Sequence, residues 1–452
     1  MGKNWDLIIT GGNVFTPSGL VAADVAVADG RIADIGALDT AAADETFDAE
    51  GLIVLPGVID TQVHFREPGL EHKEDLESGT RAAVMGGVTA VFEMPNTSPA
   101  TIDAAALNEK LTRAEGRAWC DHAFFIGAAA ENADRLGELE RLPGCCGVKI
   151  FMGSSTGSLL VHEEETLRAV LSHGHRRVAV HSEDEARLRE RFELIRDGGK
   201  VAQHPEWRDV ETAVRSTKRL LRLAREAGRR VHVLHVTTAE EVPLLAAAKD
   251  IATMEVTPQH LTLAAPYCYE ELGSFAQMNP PIRDARHREA LWEAVRLGIA
   301  DVVGSDHAPH SREEKAAPYP RSPSGMPGVQ TLLPLLLDHL NAGRLTLERL
   351  VDLTSAGAQR IYGIAGKGRI AVGYDGDFTL VDLKAKRSIE HAWLQSKCGW
   401  SPFEGKPITG WPMATVIRGH VAMRDGELLG GPTGRPVRFA GTLGHGAADI
   451  GA

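Results

Sequence analysis

Apolar and polar positions alternate along roughly the first 55 residues, where "DLIITGGNVFTPSGLVAADVAVADGRIADIG" also carries glycine and aspartate at regular intervals. This period of two predicts short β-strands separated by tight turns. The same pattern returns near the C-terminus in "GRIAVGYDGDFTLVDL" and "TVIRGHVAMRDGEL". We therefore expect the N- and C-terminal segments to pair into one small β-sandwich.

A different pattern fills the middle of the chain. Apolar runs such as "TAVFEMP", "CGVKIFM" and "ADVVGSD" alternate with helical periods such as "ETAVRSTKRLLRLAREAG" and "RHREALWEAVRLG". Repeated strand–helix alternation over about 300 residues predicts a TIM-like (β/α)₈ barrel. The predicted class is therefore α/β, with a barrel over residues 56–365 and a β-sandwich domain from residues 1–55 and 366–452.

Composition narrows the functional classes. The length of 452 residues suits a barrel plus a smaller domain. A net charge of −12 argues against binding to nucleic acid or to anionic membranes. One local arginine can still bind a small anionic substrate. The chain has five cysteines without zinc-knuckle spacing, no signal-peptide pattern and no apolar run near the roughly 20 residues of a membrane span, so we expect a reduced, cytoplasmic protein.

Nearly every apolar run in the barrel region ends in a polar residue capable of chemistry. A barrel carries its active site at the C-terminal ends of its strands. The stretch "IDTQVHFREPG" ends the first run, and side chains two apart on a strand share a face, so its polar residues should project together. The candidates, in chain order, are Gln62, His64, Arg66, Asn96, Lys149, His181, His235, His260, Asp306 and His310.

These residue types favour metal-assisted hydrolysis. Imidazoles suit zinc, and a carboxylate adds charge. A buried, neutral lysine such as Lys149 can react with carbon dioxide to form a carbamate, which bridges two metals. A metal-bound water then becomes a nucleophile near neutral pH, and Asp306 can carry its proton to a leaving nitrogen. Each residue alone has a structural explanation, such as a hydrogen-bonded histidine or a turn-capping aspartate, and the combination favours the metal site.

Seven motifs carry a resemblance to a known family: "DTQVHFREPG", "MPNT", "GVKIFMGSSTG", "VHVLHVTT", "VTPQHL", "MNPPIR" and "GSDHAPH". In this order they span the barrel region and resemble the amidohydrolase superfamily, and within it the cyclic amidohydrolases of the dihydroorotase type. The resemblance implies one or two Zn²⁺ ions held by Gln62, His64, carbamylated Lys149, His181, His235 and Asp306. It also implies substrate contacts from Arg66, Asn96, Asn279 and His310, with Asp306 as the catalytic proton carrier.

The implied reaction is the reversible hydrolysis of (S)-dihydroorotate to N-carbamoyl-L-aspartate in de novo pyrimidine biosynthesis. Arginine presents a planar fork suited to the ring carboxylate, so Arg66 favours this substrate, unless it pairs with a structural Asp or Glu. The alternatives are an allantoinase- or hydantoinase-type enzyme and a non-catalytic dihydroorotase-like subunit of aspartate carbamoyltransferase. We expect a homo-oligomer, a dimer or a tetramer.

One position departs from the family pattern Asp-x-His-x-His-x-Arg. Gln62 stands where the first histidine is expected, and a glutamine oxygen binds zinc poorly. Three interpretations follow: one tight metal with a weak or absent second, two metals with the first completed by Gln62 or water, or the non-catalytic subunit. We interpret His232 and His307 as structural and residues 311–328 as either a loop over the barrel mouth or a surface linker.

Overall fold

The computed structural model describes residues 5–155, 157 and 159–442. The N-terminal strands are β1 (Trp5–Thr10), β2 (Asn13–Thr16), β3 (Gly19–Ala22), β4 (Asp24–Ala28), β5 (Arg31–Gly36), β6 (Ala43–Asp48) and β7 (Ile53–Pro56). Eight strands follow: β8 (Val58–Val63), β9 (Val88–Glu93), β10 (Asp121–Gly127), β11 (Cys145–Phe151), β12 (Val178–His181), β13 (Val231–Val233), β14 (Ala252–Val256) and β15 (Val302–Val303). The C-terminal strands are β16 (Phe378–Ser388), β17 (Pro407–Ile417), β18 (His420–Arg424) and β19 (Glu427–Leu428).

Strands β8 to β15 form one parallel sheet in chain order. The two edges of this sheet meet through a bridge between Val63 and His307, where the amide of His64 donates to the carbonyl of His307 at 2.7 Å. The sheet is therefore a nearly closed barrel. This confirms the predicted (β/α)₈ architecture and places the ends of all eight strands around one rim.

Helices connect and cover these strands. They are α1 (Leu76–Met85), α2 (Ala104–Ala114), α3 (Leu136–Leu139), α4 (Glu164–Ser172), α5 (Glu185–Arg191), α6 (His204–Trp207), α7 (Val210–Ala227), α8 (Glu241–Ala246), α9 (Pro258–Thr262), α10 (Tyr267–Leu272), α11 (Ala285–Arg296), α12 (Arg312–Lys315), α13 (Leu332–Asn341), α14 (Leu347–Val351) and α15 (Gly357–Tyr362). The longest, α7, starts where the Asp209 carboxylate accepts from the Thr212 amide at 3.0 Å and ends at left-handed Gly228. No helix in the described part is long and apolar enough to cross a bilayer.

The strands at the two ends of the chain combine as predicted. A seven-stranded sheet runs β19-β18-β17-β16-β7-β2-β3, so C-terminal β16 pairs with N-terminal β7. A four-stranded sheet, β5-β4-β1-β6, faces the same apolar cluster, in which Leu7 and Val25 pack with Phe378 and Val416. The β-sandwich is thereby confirmed. The domain boundaries after residues 55 and 365 stay a prediction.

A buried acidic cluster lies at the start of β10, at the opposite end of that strand from the barrel rim. The Asp121, Asp375 and Asp377 carboxylates converge there. The Lys367 ammonium lies 2.5 Å from Asp121 and 3.2 Å from Asp375 and also pairs with Asp377, while Arg418 pairs with Asp121. Because the cations already neutralise these carboxylates, we interpret the cluster as a structural salt network and not as a metal site.

Replacing Lys367 with methionine should lower the free energy of unfolding by about 3–5 kcal/mol at neutral pH, since three buried carboxylates lose their shared cation. Burial alone would raise the pKa of Asp121, but Lys367 and Arg418 lower it below its ordinary value. That contribution is present above the unfolded pKa of aspartate, about 3.9, and is lost as the pH falls through the lower folded value. The difference between variant and wild type should therefore shrink in acid.

Urea unfolding at several pH values measures this effect. Arg438→Met is the matched control, because the Arg438 side chain is 52% exposed and, among the described residues, forms an ion pair with Asp375 alone, at 2.6 Å. An exposed pair of this kind contributes at most about 1 kcal/mol. Equal losses in the two variants would contradict a structural role for the Lys367 network.

Candidate metal centre and substrate pocket

A pocket with about 350 Å³ of empty space, part of it open to solvent, lies at the rim formed by the carboxyl ends of the barrel strands. The lining residues are Gln62, His64, Arg66, Asn96, Lys149, Phe151, Ser155, His181, His235, Asn279, Asp306, Ala308, Ser324 and Gly325. Nine of the ten residues that the family resemblance assigns to the site therefore meet in one pocket. The tenth, His310, lies behind Arg66, with its Nε2 3.4 Å from the guanidinium Nη2.

One group of potential ligands surrounds His64. The His64 Nδ1–H donates to Asn96 Oδ1 at 2.8 Å, so the Nε2 lone pair faces Asp306 Oδ1 at 3.2 Å. Gln62 Nε2 donates to the same Asp306 oxygen at 2.9 Å. Gln62 Oε1 is buried and has no hydrogen-bond partner among the described residues. Three acceptor atoms of this group thus remain available to a cation.

A second group is formed by His181 and His235. The His181 Nε2–H donates to the Glu183 carboxylate at 2.8 Å, so its Nδ1 lone pair faces His235 Nε2 at 3.1 Å. Burial lowers the pKa of both imidazoles, which are therefore neutral near pH 7. Two neutral ring nitrogens at this separation suit a shared metal ion.

Glu183 is held in turn by Arg208. The Arg208 Nε lies 3.1 Å from both Glu183 oxygens, and Nη2 lies 2.5 Å from Oε2. Burial alone would raise the pKa of Glu183, but Arg208 and His181 lower it well below its ordinary value. A carboxylate that stays ionised fixes the tautomer of a ligand histidine. Sequence reasoning missed both residues, because Arg208 lies on a loop 27 positions after His181 and no local pattern links them.

Lys149 ends its strand pointing into the same pocket. Its Nζ is buried, has no hydrogen-bond partner among the described residues and lies 4.4 Å from the centre of the Phe151 ring. Burial lowers the pKa of Lys149 to about 7. A neutral amine is a nucleophile towards carbon dioxide, so the side chain has the chemistry that carbamylation requires.

The donor set fits a metal centre. Imidazole nitrogens, one carboxylate and one reactive amine converge on a pocket in which Gln62 Oε1, Lys149 Nζ and His235 Nδ1 have no partners among the described residues. Unpaired buried polar atoms are unfavourable unless a ligand or a modification satisfies them. The cluster therefore accommodates a cation far better than the neutralised acidic network around Lys367.

Backbone strain concentrates at this site. Arg66, His235 and Asp306 adopt left-handed φ values of 64°, 37° and 45°. Left-handed backbone is unfavourable for residues with a side chain and persists mainly where the surrounding structure and function demand it. The strand β8 is also irregular: its pairing with β9 shifts between Asp60 and Val63. Gln62 thus projects from the irregular end of β8, and His64 and Arg66 reach the same pocket from beyond its last residue.

Arg66 is the cationic residue of the pocket lining that could bind a substrate carboxylate. Its side chain is 1% exposed, and Nε donates to the Pro309 carbonyl at 3.1 Å. Burial lowers the pKa of Arg66 to about 10, so the group stays charged near neutral pH. Lys73, which sequence reasoning missed, donates from Nζ to His310 Nδ1 at 3.1 Å, so His310 Nε2 carries a hydrogen and donates to the Ser324 carbonyl at 3.1 Å.

Three further histidines considered above, His232, His260 and His307, do not line the pocket, so the strand-end candidate His260 is not brought to the site. His232 Nδ1 bonds to Thr253 Oγ1 at 2.7 Å, and His260 bonds to the Pro280 carbonyl at 3.1 Å. His307 Nδ1 accepts from the Gly328 amide at 3.0 Å. All three have protein partners, in agreement with the structural interpretation of His232 and His307. The segment 311–328 supplies Ser324 and Gly325 to the pocket lining, so it is the predicted loop over the barrel mouth.

Comparisons with known proteins agree with this architecture. A dihydroorotase of Halobacterium salinarum is 39% identical over 428 residues, covering 92% of this chain and 99% of that protein. An allantoinase of Rubrobacter xylanophilus is 37% identical over 458 residues, covering 96% and 98%. The solved structure of an L-hydantoinase (dihydropyrimidinase) from Arthrobacter aurescens is similar with a TM-score of 0.90 at 31% identity, covering 96% of this chain and 99% of that chain.

A model of the amidohydrolase family matches residues 53–422, which include the whole barrel and every predicted site residue. Metal-dependent chemistry is general in that family and agrees with the donor set described above. Together with the close relatives along nearly the full length, this match assigns the chain: it belongs to the amidohydrolase family.

Proposed function

We propose that this protein is a metal-dependent dihydroorotase, which interconverts (S)-dihydroorotate and N-carbamoyl-L-aspartate in de novo pyrimidine biosynthesis. One observation carries the choice of substrate. Arg66 is a buried cation beside the ligand cluster, and among the described residues it has no carboxylate within ion-pair distance. The carboxylates of Asp306, Glu93, Glu314 and Glu74 act on it only at longer range. A buried charge without a direct ionic partner is unfavourable, so the pocket suits an anionic substrate, and a structural Asp or Glu partner is disfavoured.

Dihydroorotate has the complementary chemistry. It carries a ring carboxylate, which allantoin, hydantoin and dihydrouracil lack. A guanidinium binds a carboxylate through two parallel hydrogen bonds. Arg66 would take this carboxylate together with Asn96, which lines the same pocket, and His310, which lies next to the Arg66 guanidinium and would have to exchange its bond to the Ser324 carbonyl for one to the substrate.

The chain supplies the proton chemistry of the reaction. The ligand set would be His64, Lys149 as its carbamate, His181, His235 and Asp306, with Gln62 as a sixth donor, and Zn²⁺ is the metal that these donors suit. When bound, the metal supplies positive charge that polarises the ring amide and lowers the pKa of water. Asp306 removes a proton from the attacking water and delivers it to the ring nitrogen as the C–N bond breaks. Ring closure reverses these steps.

The number of metal ions that the site holds depends on Gln62. Its Nε2 is committed to Asp306, and only its unpartnered Oε1 is left to act as a ligand. A neutral amide oxygen is a weak zinc ligand, so we propose one tight metal at His181 and His235 and a weaker one beside His64. The non-catalytic interpretation is disfavoured, since a scaffold has no need to bury Arg66 without an ion pair and Lys149 without a hydrogen bond within the described residues.

The deciding experiment measures metal content per chain and ring opening on the same purified protein. The substrates are dihydroorotate, allantoin and dihydrouracil. We expect one to two metals per chain and a clear preference for dihydroorotate. Turnover of only the rings without a carboxylate would replace the proposal with an allantoinase or hydantoinase function, which the allantoinase relative makes the second candidate. A folded, metal-free and inactive protein would leave only the non-catalytic subunit.

Gln62→His should raise metal occupancy at the position beside His64, because imidazole binds zinc more tightly than an amide oxygen. We expect the weaker metal to be held roughly tenfold more tightly, about 1.4 kcal/mol. Chelator competition followed by metal analysis measures the change. Gln62→Leu is the matched control, which removes the oxygen and should weaken that metal further. Equal metal content in wild type and both variants would remove Gln62 from the ligand set.

The remaining proposals concern assembly and location. A homo-oligomer, an association with aspartate carbamoyltransferase and a cytoplasmic location stay predictions from the sequence. Size measurement of the purified protein, alone and mixed with aspartate carbamoyltransferase, tests the first two.

A further inference from the structure

A buried histidine outside the predicted site touches the pocket through one lining residue. His204 is the first residue of α6, on the loop between β12 and α7, and is fully buried. Its ring packs edge-on against Trp207, with centroids 5.6 Å apart, and against Tyr319 at 5.8 Å. Tyr319 belongs to the loop over the barrel mouth. Neither His204 nor Tyr319 has a role in the reaction proposed above.

The hydrogen bonds of His204 define its tautomer. Nε2 lies 3.1 Å from the Met278 carbonyl and 3.0 Å from Asn279 Oδ1, and both of these oxygens can only accept. The hydrogen is therefore on Nε2. Nδ1 lies 3.2 Å from the Tyr319 hydroxyl and accepts its hydrogen. Burial and then the charge of Arg208 lower the pKa of His204 to about 3, so the ring carries only one hydrogen near neutral pH.

This tautomer fixes the amide of Asn279. Because Oδ1 accepts from His204, the Nδ2 group is the part of the half-buried Asn279 side chain that is left for the pocket it lines. A flipped amide would place Nδ2 against the Nε2–H, with two donors facing each other and Oδ1 turned to the pocket. The pocket therefore presents a hydrogen-bond donor at Asn279, which favours a carbonyl oxygen of the ligand and disfavours a ring N–H.

The mouth loop holds this arrangement from the other side. Lys315 Nζ donates to the carbonyls of Gln277, at 3.0 Å, and Pro323, at 2.8 Å. The Gly325 amide donates to the same Gln277 carbonyl at 2.9 Å. Residues 277–279 are thus clamped between the mouth loop and the loop that carries His204, with the Tyr319–His204 bond joining the two.

We propose that His204, with its tautomer set by Tyr319, is a positioning residue that makes Asn279 a donor to a carbonyl oxygen of the substrate ring. This inference rests on the proposed ring-opening function and extends it to substrate selection. His204 acts only through Asn279, so its effect should appear in substrate binding and not in the chemical step.

A double-mutant cycle tests the proposal. His204→Phe keeps an aromatic ring but cannot donate, and it should raise KM about tenfold, the value of one lost hydrogen bond, with a smaller change in kcat. Asn279→Ala should raise KM similarly. The two changes together should raise KM no more than Asn279→Ala alone, because His204 acts through that side chain. Additive effects, or equal falls in kcat with unchanged KM, would overturn the proposal.

Three further variants make the test independent of a folding defect. His204→Gln retains a donor and should recover much of the wild-type KM. Tyr319→Phe removes only the hydroxyl and should raise KM about threefold, a fraction of one hydrogen bond. Asn279→Asp presents only acceptors and should raise KM more than Asn279→Ala does. An Asn279→Asp variant that binds better than Asn279→Ala would contradict the donor role.

Two measures separate this proposal from the proposed function. The double-mutant cycle is run with whichever of dihydroorotate, allantoin and dihydrouracil the wild type opens, because each of these rings carries carbonyl oxygens. Equilibrium binding of dihydroorotate is measured in parallel. A wild type that rejects dihydroorotate defeats the proposed function, while an additive cycle on the ring it accepts defeats only this inference. His287→Phe, at a buried histidine of α11 outside the pocket lining, controls for the general loss of an imidazole.

Discussion

Replacing Lys149 with methionine should give a folded protein that binds little metal and opens dihydroorotate at least about 10³-fold more slowly. Methionine has a similar length but cannot form a carbamate, so the proposed ligand set would lose its anionic carbamate donor. Charge stabilisation by a metal is worth several kcal/mol, and each 1.36 kcal/mol is tenfold in rate. A loss of about 4 kcal/mol therefore gives the expected factor.

The same substitution should not lower stability. Lys149 Nζ is buried without a hydrogen-bond partner among the described residues, and an ammonium in that position is unfavourable. We therefore expect an equal or higher free energy of unfolding in Lys149→Met. A loss of function with a gain in stability identifies a residue that is kept for chemistry.

Lys315→Met is the matched control. Lys315 is equally buried, and burial lowers its pKa to about 7 as well, but its Nζ donates to two backbone carbonyls. Its replacement should lower stability and leave metal content unchanged. Metal analysis, urea unfolding and ring-opening rates on both variants make the comparison. Wild-type metal content in Lys149→Met would exclude Lys149 from the centre.

The barrel was predictable because its pattern is long and repeated. Apolar runs correspond to β9, β11, β12, β13, β14 and β15, and the helical periods over "ETAVRSTKRLLRLAREAG" and "RHREALWEAVRLG" match α7 and α11. The barrel prediction in turn placed the polar residues at the strand ends in one site, because the parallel strands of a barrel bring their carboxyl ends to one rim. The strand-end pattern therefore predicted eight lining residues without any knowledge of the tertiary contacts, and the family resemblance added Asn279.

Two details of the site differ from simple strand alternation. β8 ends at Val63, so His64 and Arg66 lie beyond the regular strand, and Arg66 adopts a left-handed backbone. β13 ends at Val233, and His235 is likewise left-handed, so alternation from His232 does not determine where His235 points. The side chains of His64, Arg66 and His235 reach the pocket through irregular backbone conformations, which the alternation of apolar and polar residues along a strand does not predict.

The supporting residues could not be predicted, for a physical reason. Glu183, Arg208 and His204 act through contacts between loops that are distant in sequence, such as the bond from Tyr319 to His204 across 115 positions. A lone acidic residue or histidine in a loop has no periodicity that reveals its partner. The charged sequence "HSEDE" at residues 181–185, which contains Glu183, is typical of a helix start, and Asp184 does cap α5 by accepting from the Arg187 amide at 3.0 Å.

Arg66→Met should reduce kcat/KM for dihydroorotate by about 10²-fold or more, mainly through KM. Loss of one partner from a buried, hydrogen-bonded charge pair costs about 2–5 kcal/mol. The free protein should lose little stability, because Arg66 has no carboxylate within ion-pair distance among the described residues and its Nε donates to the Pro309 carbonyl. Steady-state kinetics with dihydroorotate, and urea unfolding of the free variant, measure the two effects.

The substrate provides the control within one variant. Dihydrouracil has the same ring without the carboxylate, so Arg66→Met should leave its kcat/KM nearly unchanged or improve it, since an unpaired cation is removed from the pocket. Arg66→Lys keeps the charge but loses the planar fork and should lie between wild type and Arg66→Met for dihydroorotate. An equal loss on both rings would assign Arg66 to the architecture of the pocket. An unchanged KM for dihydroorotate would show that Arg66 does not bind the substrate carboxylate. The reason to prefer dihydroorotate over allantoin as the substrate would then be lost.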